Sequence, residues 1–139
     1  MREIKYRVWD KKENKWFVPS YRAFSAELFD IFIKLNGELC FWTIRGLEHE
    51  SLPEYKDRFI PVQYIGLKDK NGKEIYKGDI VLGNVFKGVV KWINYSWEVH
   101  RLDADGEVEE YFLINQYEIE VIGNIYENPE LINKTKGDE

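Results

Sequence analysis

Cysteine occurs once in this 139-residue chain, at Cys40, which excludes an intrachain disulfide and agrees with a reducing compartment. Histidine is almost as scarce. His49 and His100 are the two, far from Cys40 and from each other in sequence, so the clustered nitrogen and sulfur ligands of a zinc site are missing. No apolar run reaches the eighteen residues of a membrane-spanning helix. The opening MREIKYRVWD is charged and alternating, with no apolar stretch of signal-peptide length, so a cytoplasmic location is expected and no membrane partner. Phosphate loops, dinucleotide fingerprints and zincin helices are also lacking.

What is present is apolar surface and rings. Apolar residues make up 44% of the chain and charged ones 32%, the balance of a folded globular protein. Aromatic residues reach 16%, which suits thin β layers whose rings cover strands and touch water. Charge is uneven. Through residue 60 there are eleven Lys and Arg against ten Asp and Glu, and from 61 onward nine against fifteen. The acidic C-terminal half repels phosphate backbones, which counts against nucleic acid as its partner.

Residues 3 to 9 alternate Ile4, Tyr6 and Val8 with Lys5, Arg7 and Trp9, the period of a half-buried strand. The polar run DKKENK then predicts a tight loop into Trp16, Phe17 and Val18. Residues 20 to 44 support two readings. Phe24, Leu28, Ile31, Phe32 and Leu35 share a helical face. Against that, Asn36-Gly37 separates two strand-like runs, Phe29 to Leu35 and Leu39 to Ile44, and is a strong hairpin signal. The hairpin is preferred, with room for a turn of helix at residues 22 to 28. From Arg45 to Pro61 periodicity is lost, which predicts a mobile connection between subdomains.

The stretch QYIGLKDKNGKEIYKGDIV, residues 63 to 81, is the most punctuated part of the chain. Asn71-Gly72 and Gly78-Asp79 predict two reversals, with the Asp79 carboxylate able to accept backbone N–H groups. The stretch therefore reads as an entry loop into the apolar run Ile80 to Leu82. After it come five short β-prone segments, DIVLGN, KGVVKWIN, SWEVHRL, GEVEEYFLI and YEIEVIGNIY, at the spacing of a small antiparallel barrel. Asn128-Pro129 ends the last of them.

The 63 to 81 stretch, the N-terminal strand ending in Trp9-Asp10 with its Lys-rich turn, and the closing EVIGNIYENPELI together resemble the YopX-like family of phage and prophage proteins. The resemblance implies a C-terminal SH3-like barrel and points to no particular activity. The expected architecture is mostly β. An N-terminal antiparallel subdomain and its connecting loop fill residues 1 to 60, an SH3-like β-barrel residues 61 to 128, and a tail residues 129 to 139.

Catalytic, cofactor and metal residues are not expected. Cys40 lies in the apolar run Leu39 to Trp42 and reads as a buried structural thiol. His49, between Glu48 and Glu50, reads as a solvated charge cluster, as does the basic strip Lys68, Lys70, Lys73 and Lys77. The acidic residues of DADGEVEE at 103 to 110 and of DKNG at 69 to 72 lack the spacing of a calcium loop. The expected function is therefore contact with other proteins, through self-association or a host or phage partner. Its candidate surface is Tyr64, Tyr76, Trp92 and Trp97, since a barrel this small cannot bury every ring. The alternative is a nucleic-acid module that stacks bases on Trp92 and Trp97 beside Lys87, Lys91 and Arg101.

Overall fold

The computed structural model describes residues 5–22, 27–84, 86–93, 96–102, 108–114 and 118–132. The chain folds into two compact units, one holding Arg7–Pro61 and the other the chain up to Tyr6 and from Val62 onward.

In the Arg7–Pro61 unit, β1 (Tyr6–Asp10) and β2 (Lys15–Trp16) form a hairpin in which Trp9 faces Trp16. Their rings meet edge to face with centroids 5.0 Å apart. The turn is held by Asp10, whose Oδ1 accepts the backbone N–H groups of Lys12 and Glu13. Val8, Trp9 and Asp10 are all buried, so β1 is covered on both faces here rather than on one.

Four antiparallel strands follow in sequence order: β3 (Ser20–Arg22), β4 (Glu27–Ile33), β5 (Leu39–Thr43) and β6 (Gly46–His49). Asn36-Gly37 makes the β4–β5 turn. Gly37 takes φ +90° and the Asn36 side chain accepts the Glu38 N–H. The helical reading fails because β4 pairs with β5 from Phe29 to Ile33. Residues 23–26, the middle of the expected helical turn, lie outside the described residues. The core of this unit is aromatic, with Phe41 and Tyr55 stacked at 4.1 Å beside Phe29, Phe59, Val8 and Leu39. Burying one phenyl side chain stabilises by roughly 1.5–3 kcal/mol.

The expected connection from Arg45 to Pro61 is more ordered than its composition suggests. Its first part is β6, and its last part opens β7 (Phe59–Lys68), a ten-residue strand with Pro61 inside it. Turns bonded from His49 to Leu52, from Leu52 to Tyr55 and Lys56, and from Tyr55 to Arg58 join the two.

In the other unit, β7 continues from Val62 and pairs with β8 (Glu74–Tyr76), then β9 (Asp79–Leu82) follows. The 63 to 81 stretch is thus a hairpin and a second reversal, not an entry loop. Gly72 and Gly78 both have positive φ, +83° and +85°, at the two turns. The other expected strands are present as β10 (Lys87–Ile93), β11 (Ser96–Leu102), β12 (Val108–Leu113) and β13 (Glu120–Asn124). They form one antiparallel sheet in the order β12-β11-β10-β9-β13, curled into a half-barrel. Val81, Val90, Val99 and Val121 fill its inner face with Ile65 and Ile75. The chain then turns at Asn124, whose Oδ1 accepts the N–H groups of Tyr126 and Glu127, into a 3-10 turn at Pro129–Leu131. The last seven residues and the acidic residues at 103–107 lie outside the described residues. No helix among the described residues is long and apolar enough to cross a membrane.

Candidate contact surface and polar cleft

The four aromatic residues of the candidate surface fall into two pairs. Tyr64 and Tyr76 oppose each other across β7 and β8 with ring centroids 5.6 Å apart, and each is only 6% exposed. They are interior residues. Cross-strand packing hides each ring, so they cannot meet a partner directly. Trp92 and Trp97 oppose each other across β10 and β11, rings edge to face at 4.9 Å, with Trp92 44% exposed and Trp97 packed on the core. With Gln63 and Lys77 they line a cleft of 270 Å³. Strand alternation puts Lys87 and Lys91 on the sheet face opposite Trp92. The same alternation puts Arg101 on the Trp97 face, so two of the three basic neighbours expected for base stacking are turned away from the rings.

The turn residues act as turns, joined by a carboxylate that spacing alone did not single out. Asp79 is buried and its Oδ2 accepts the Tyr76 N–H at 2.9 Å. Asp69, the first residue of DKNG, accepts Asn71 and Lys73 N–H on Oδ1 and the distant Val121 N–H on Oδ2, each at 2.9 Å. Burial alone would push the Asp69 carboxyl up, but the N–H groups of Val121, Lys73 and Asn71 outweigh it and hold the group below its ordinary value. Its role is to clip β13 to the β7–β8 turn. Lys68, Lys70, Lys73 and Lys77 are exposed.

A larger aromatic surface lies on the other unit. In β4 and β5 the core takes Phe29, Ile31, Ile33, Leu39 and Phe41, so alternation sends Phe32, Cys40 and Trp42 to the outer face. Leu47 pairs with Trp42 from β6. Phe32, Trp42 and Leu47 are 44%, 46% and 72% exposed, and the Phe32 and Trp42 rings lie 5.9 Å apart. Cys40 is half-buried on this outer side, not in the core, because Leu39 and Phe41 hold the inward positions. His49 shares the face, with Nε2 3.1 Å from Glu38 Oε2 and Nδ1 2.9 Å from Ser51 Oγ. Its sequence neighbours are occupied elsewhere: Glu48 accepts from Tyr55, Arg45 and Thr43, and Glu50 from the Leu39 N–H.

The same unit has an open cleft of 610 Å³ lined in part by Lys12, Arg45, Arg58, Glu54, Phe29 and Tyr55. Arg58 grips buried Asp10 through Nε and Nη2 at 2.9 and 2.8 Å. The Arg58 hydrogen bond holds the Asp10 carboxyl below its ordinary value, against burial and with help from the Glu13 and Lys12 N–H groups. Arg45 bonds Glu48 and Glu54 through Nη2 alone, both at 2.9 Å. The Tyr55 hydroxyl donates to Glu48 at 2.6 Å, and burial together with that carboxylate pushes its pKa up to about 12. Asp10 and Arg58 are 48 positions apart, so no sequence spacing announces their pairing.

Elsewhere, His100 Nε2 lies 2.8 Å from Glu98 Oε1, both buried on β11, and Ser96 Oγ donates to the second Glu98 oxygen. Among the described residues no group of three or more His, Cys, Asp or Glu is placed to hold a metal ion.

The molecule is thus an all-antiparallel β protein of two small units, with an open aromatic sheet face on one and a half-barrel in the other. The YopX protein family model matches residues 5–133, and the chain belongs to that family. It is 28% identical to the SPbeta prophage-derived protein YopX of Bacillus subtilis strain 168, over 94% of this chain and 97% of the relative. Among solved structures it is similar to protein EF1440 from Enterococcus faecalis, with a TM-score of 0.58 and 25% identity over 96% of this chain and all of that one. The crystal structure of Bacillus subtilis yopX shares the fold, with a TM-score of 0.53 and 22% identity over 98% of this chain and all of that one.

Proposed function

We propose that this is a non-catalytic prophage protein that acts through protein–protein contact in the host cytoplasm, as a homo-oligomer joined by the outer face of β4, β5 and β6. The observation that carries the reading is the exposed row Phe32, Trp42 and Leu47 on adjacent strands. Isolated exposed apolar residues are ordinary, whereas a contiguous apolar patch on a sheet face marks a contact site. The polar neighbours Asp30 and His49 lie on the same face, giving the apolar centre and polar rim of an interface. Among the described residues β6 ends its sheet, which offers a two-fold partner a strand edge beside the patch.

The half-barrel is read as an SH3-like scaffold, supported by five antiparallel strands entered through Gly78-Asp79. The non-catalytic reading is supported by Glu98 and His100, an acid–base pair closed off from solvent.

Light scattering over a concentration series tests the proposal. The wild-type protein is expected as a dimer or larger, and Trp42→Glu as a monomer with an unchanged unfolding midpoint. A wild-type monomer throughout the series, with no phage or host protein bound to the same face, would sink it. Nucleic acid is the second reading, favoured by the exposed Trp92 beside Trp97 and Lys77. It requires quenching of tryptophan fluorescence by single-stranded DNA or RNA at low salt, lost in Trp92→Ala.

A further inference from the structure

The cleft between Lys12, Arg45 and Arg58 has features that folding alone does not require. Three cations line it against one carboxylate, Glu54, although Arg7–Pro61 as a whole carries as many acidic as basic residues. The two arginines are also fixed from behind. Asp10, buried, takes Nε and Nη2 of Arg58, and Glu48, mostly buried, takes Nη2 of Arg45. Arg58 Nη1, Arg45 Nη1 and Nε, and Lys12 Nζ carry no hydrogen bond among the described residues. Guanidinium groups locked by carboxylates behind them have already lost much of their rotamer freedom, which is how a preorganised anion site is built.

Glu54 is the competing anion already in place. Its bond to Arg45 Nη2 joins two groups that are each more than half exposed, so an incoming anion can displace it at little cost. Half-buried Phe29 and exposed Ile44 supply the apolar surface of the cleft, above the buried Tyr55. At 610 Å³ the cleft lies within the range of about 300–1,000 Å³ usual for small-molecule sites.

We propose that this cleft binds a small organic phosphate, with the phosphoryl oxygens taken by Lys12, Arg45 and Arg58 and its organic body resting against Phe29 and Ile44. A phosphate is favoured over a carboxylate because three separate cationic side chains line the one cleft, where one carboxylate is satisfied by a single arginine fork.

The test is calorimetric titration of the full chain at low ionic strength with four probes: adenosine monophosphate, inorganic phosphate, adenosine and succinate. Adenosine monophosphate is expected to bind tightest, inorganic phosphate more weakly, and adenosine and succinate weakest. Two exposed substitutions should move its affinity in opposite directions. Lys12→Gln should weaken binding about fivefold, and Glu54→Gln should strengthen it about threefold by removing the competing carboxylate. Neither side chain is buried, so the unfolding midpoint of each variant should match the wild type, and a shared change in affinity cannot be mistaken for loss of fold. The proposal is overturned if about 5 mM adenosine monophosphate gives no binding heat. It is equally overturned if adenosine or succinate binds as well as the nucleotide, or if the two substitutions leave affinity unchanged or shift it in the same direction.

Discussion

At the scale of single residues, Asp69 joins what the chain keeps far apart. One oxygen closes the local turn on Asn71 and Lys73, while the other reaches Val121, 52 positions on, at the start of the last strand. The turn N–H groups can find water if the carboxylate is removed, but the Val121 N–H is buried and cannot. Asp69→Ala should therefore cost about 2–4 kcal/mol in urea unfolding, most of it from the contact with β13. Its pH dependence follows from the depressed pKa. The stabilisation is complete above the unfolded-state value of about 3.9 and is lost as pH falls through the lower folded value. Asp69→Asn should be less stable than wild type at pH 7, and the gap should close on acidification. A constant gap down to pH 2 would show that the carboxylate charge is not what holds the clip.

Elements differ in what glycine does for them, and two substitutions separate the causes. Gly37, in the β4–β5 turn, has φ +90°, and a Cβ there would meet nothing within 4 Å. Gly37→Ala should cost only the backbone penalty of about 1–2 kcal/mol. In β10, a Cβ on Gly88 would lie 2.6 Å from the His100 carbonyl oxygen and 2.8 Å from Val99, so the neighbouring strand itself would have to move. Gly88→Ala should cost more, about 3 kcal/mol, at the upper end of overpacking. Equal losses for the two in thermal unfolding would contradict the assignment. Turns of this kind are why so much of the fold is legible in the chain. Asn36-Gly37, Asn71-Gly72 and Gly78-Asp79 are local signals, and the apolar runs between them became the strands they suggested. β6 was not legible for a physical reason: Glu48 occupies an inward position and is satisfied there by Tyr55, Arg45 and Thr43, so hydrophobic alternation breaks in a strand that is nonetheless paired. The burial of two of the four candidate contact rings was not legible for a similar reason. Aromatic content shows that rings are abundant, but only the pairing of Tyr64 with Tyr76 buries those two, and only the inward turn of Phe41 exposes Trp42.

At the scale of the whole molecule, two opposing terms act on association. In the proposed self-association, the net charge of −5 at pH 7 would keep copies apart, while exposed Phe32, Trp42 and Leu47 would draw them together. The repulsion vanishes near pH 5.2, where the sequence charge reaches zero, and the apolar attraction does not. Average mass by light scattering should therefore rise as pH falls from 7 toward 5.2. Added salt should raise it at pH 7, where it screens the repulsion, and change little near pH 5.2. The double substitution Trp42→Ser and Leu47→Ser leaves every charge in place and removes most of the exposed patch, so it isolates the second term. It should flatten both responses while leaving the fold intact, since neither side chain contributes to the buried core. If the double variant associates as strongly as the wild type near pH 5.2, general loss of charge repulsion accounts for the behaviour and the β4–β5–β6 face is not the surface through which copies meet.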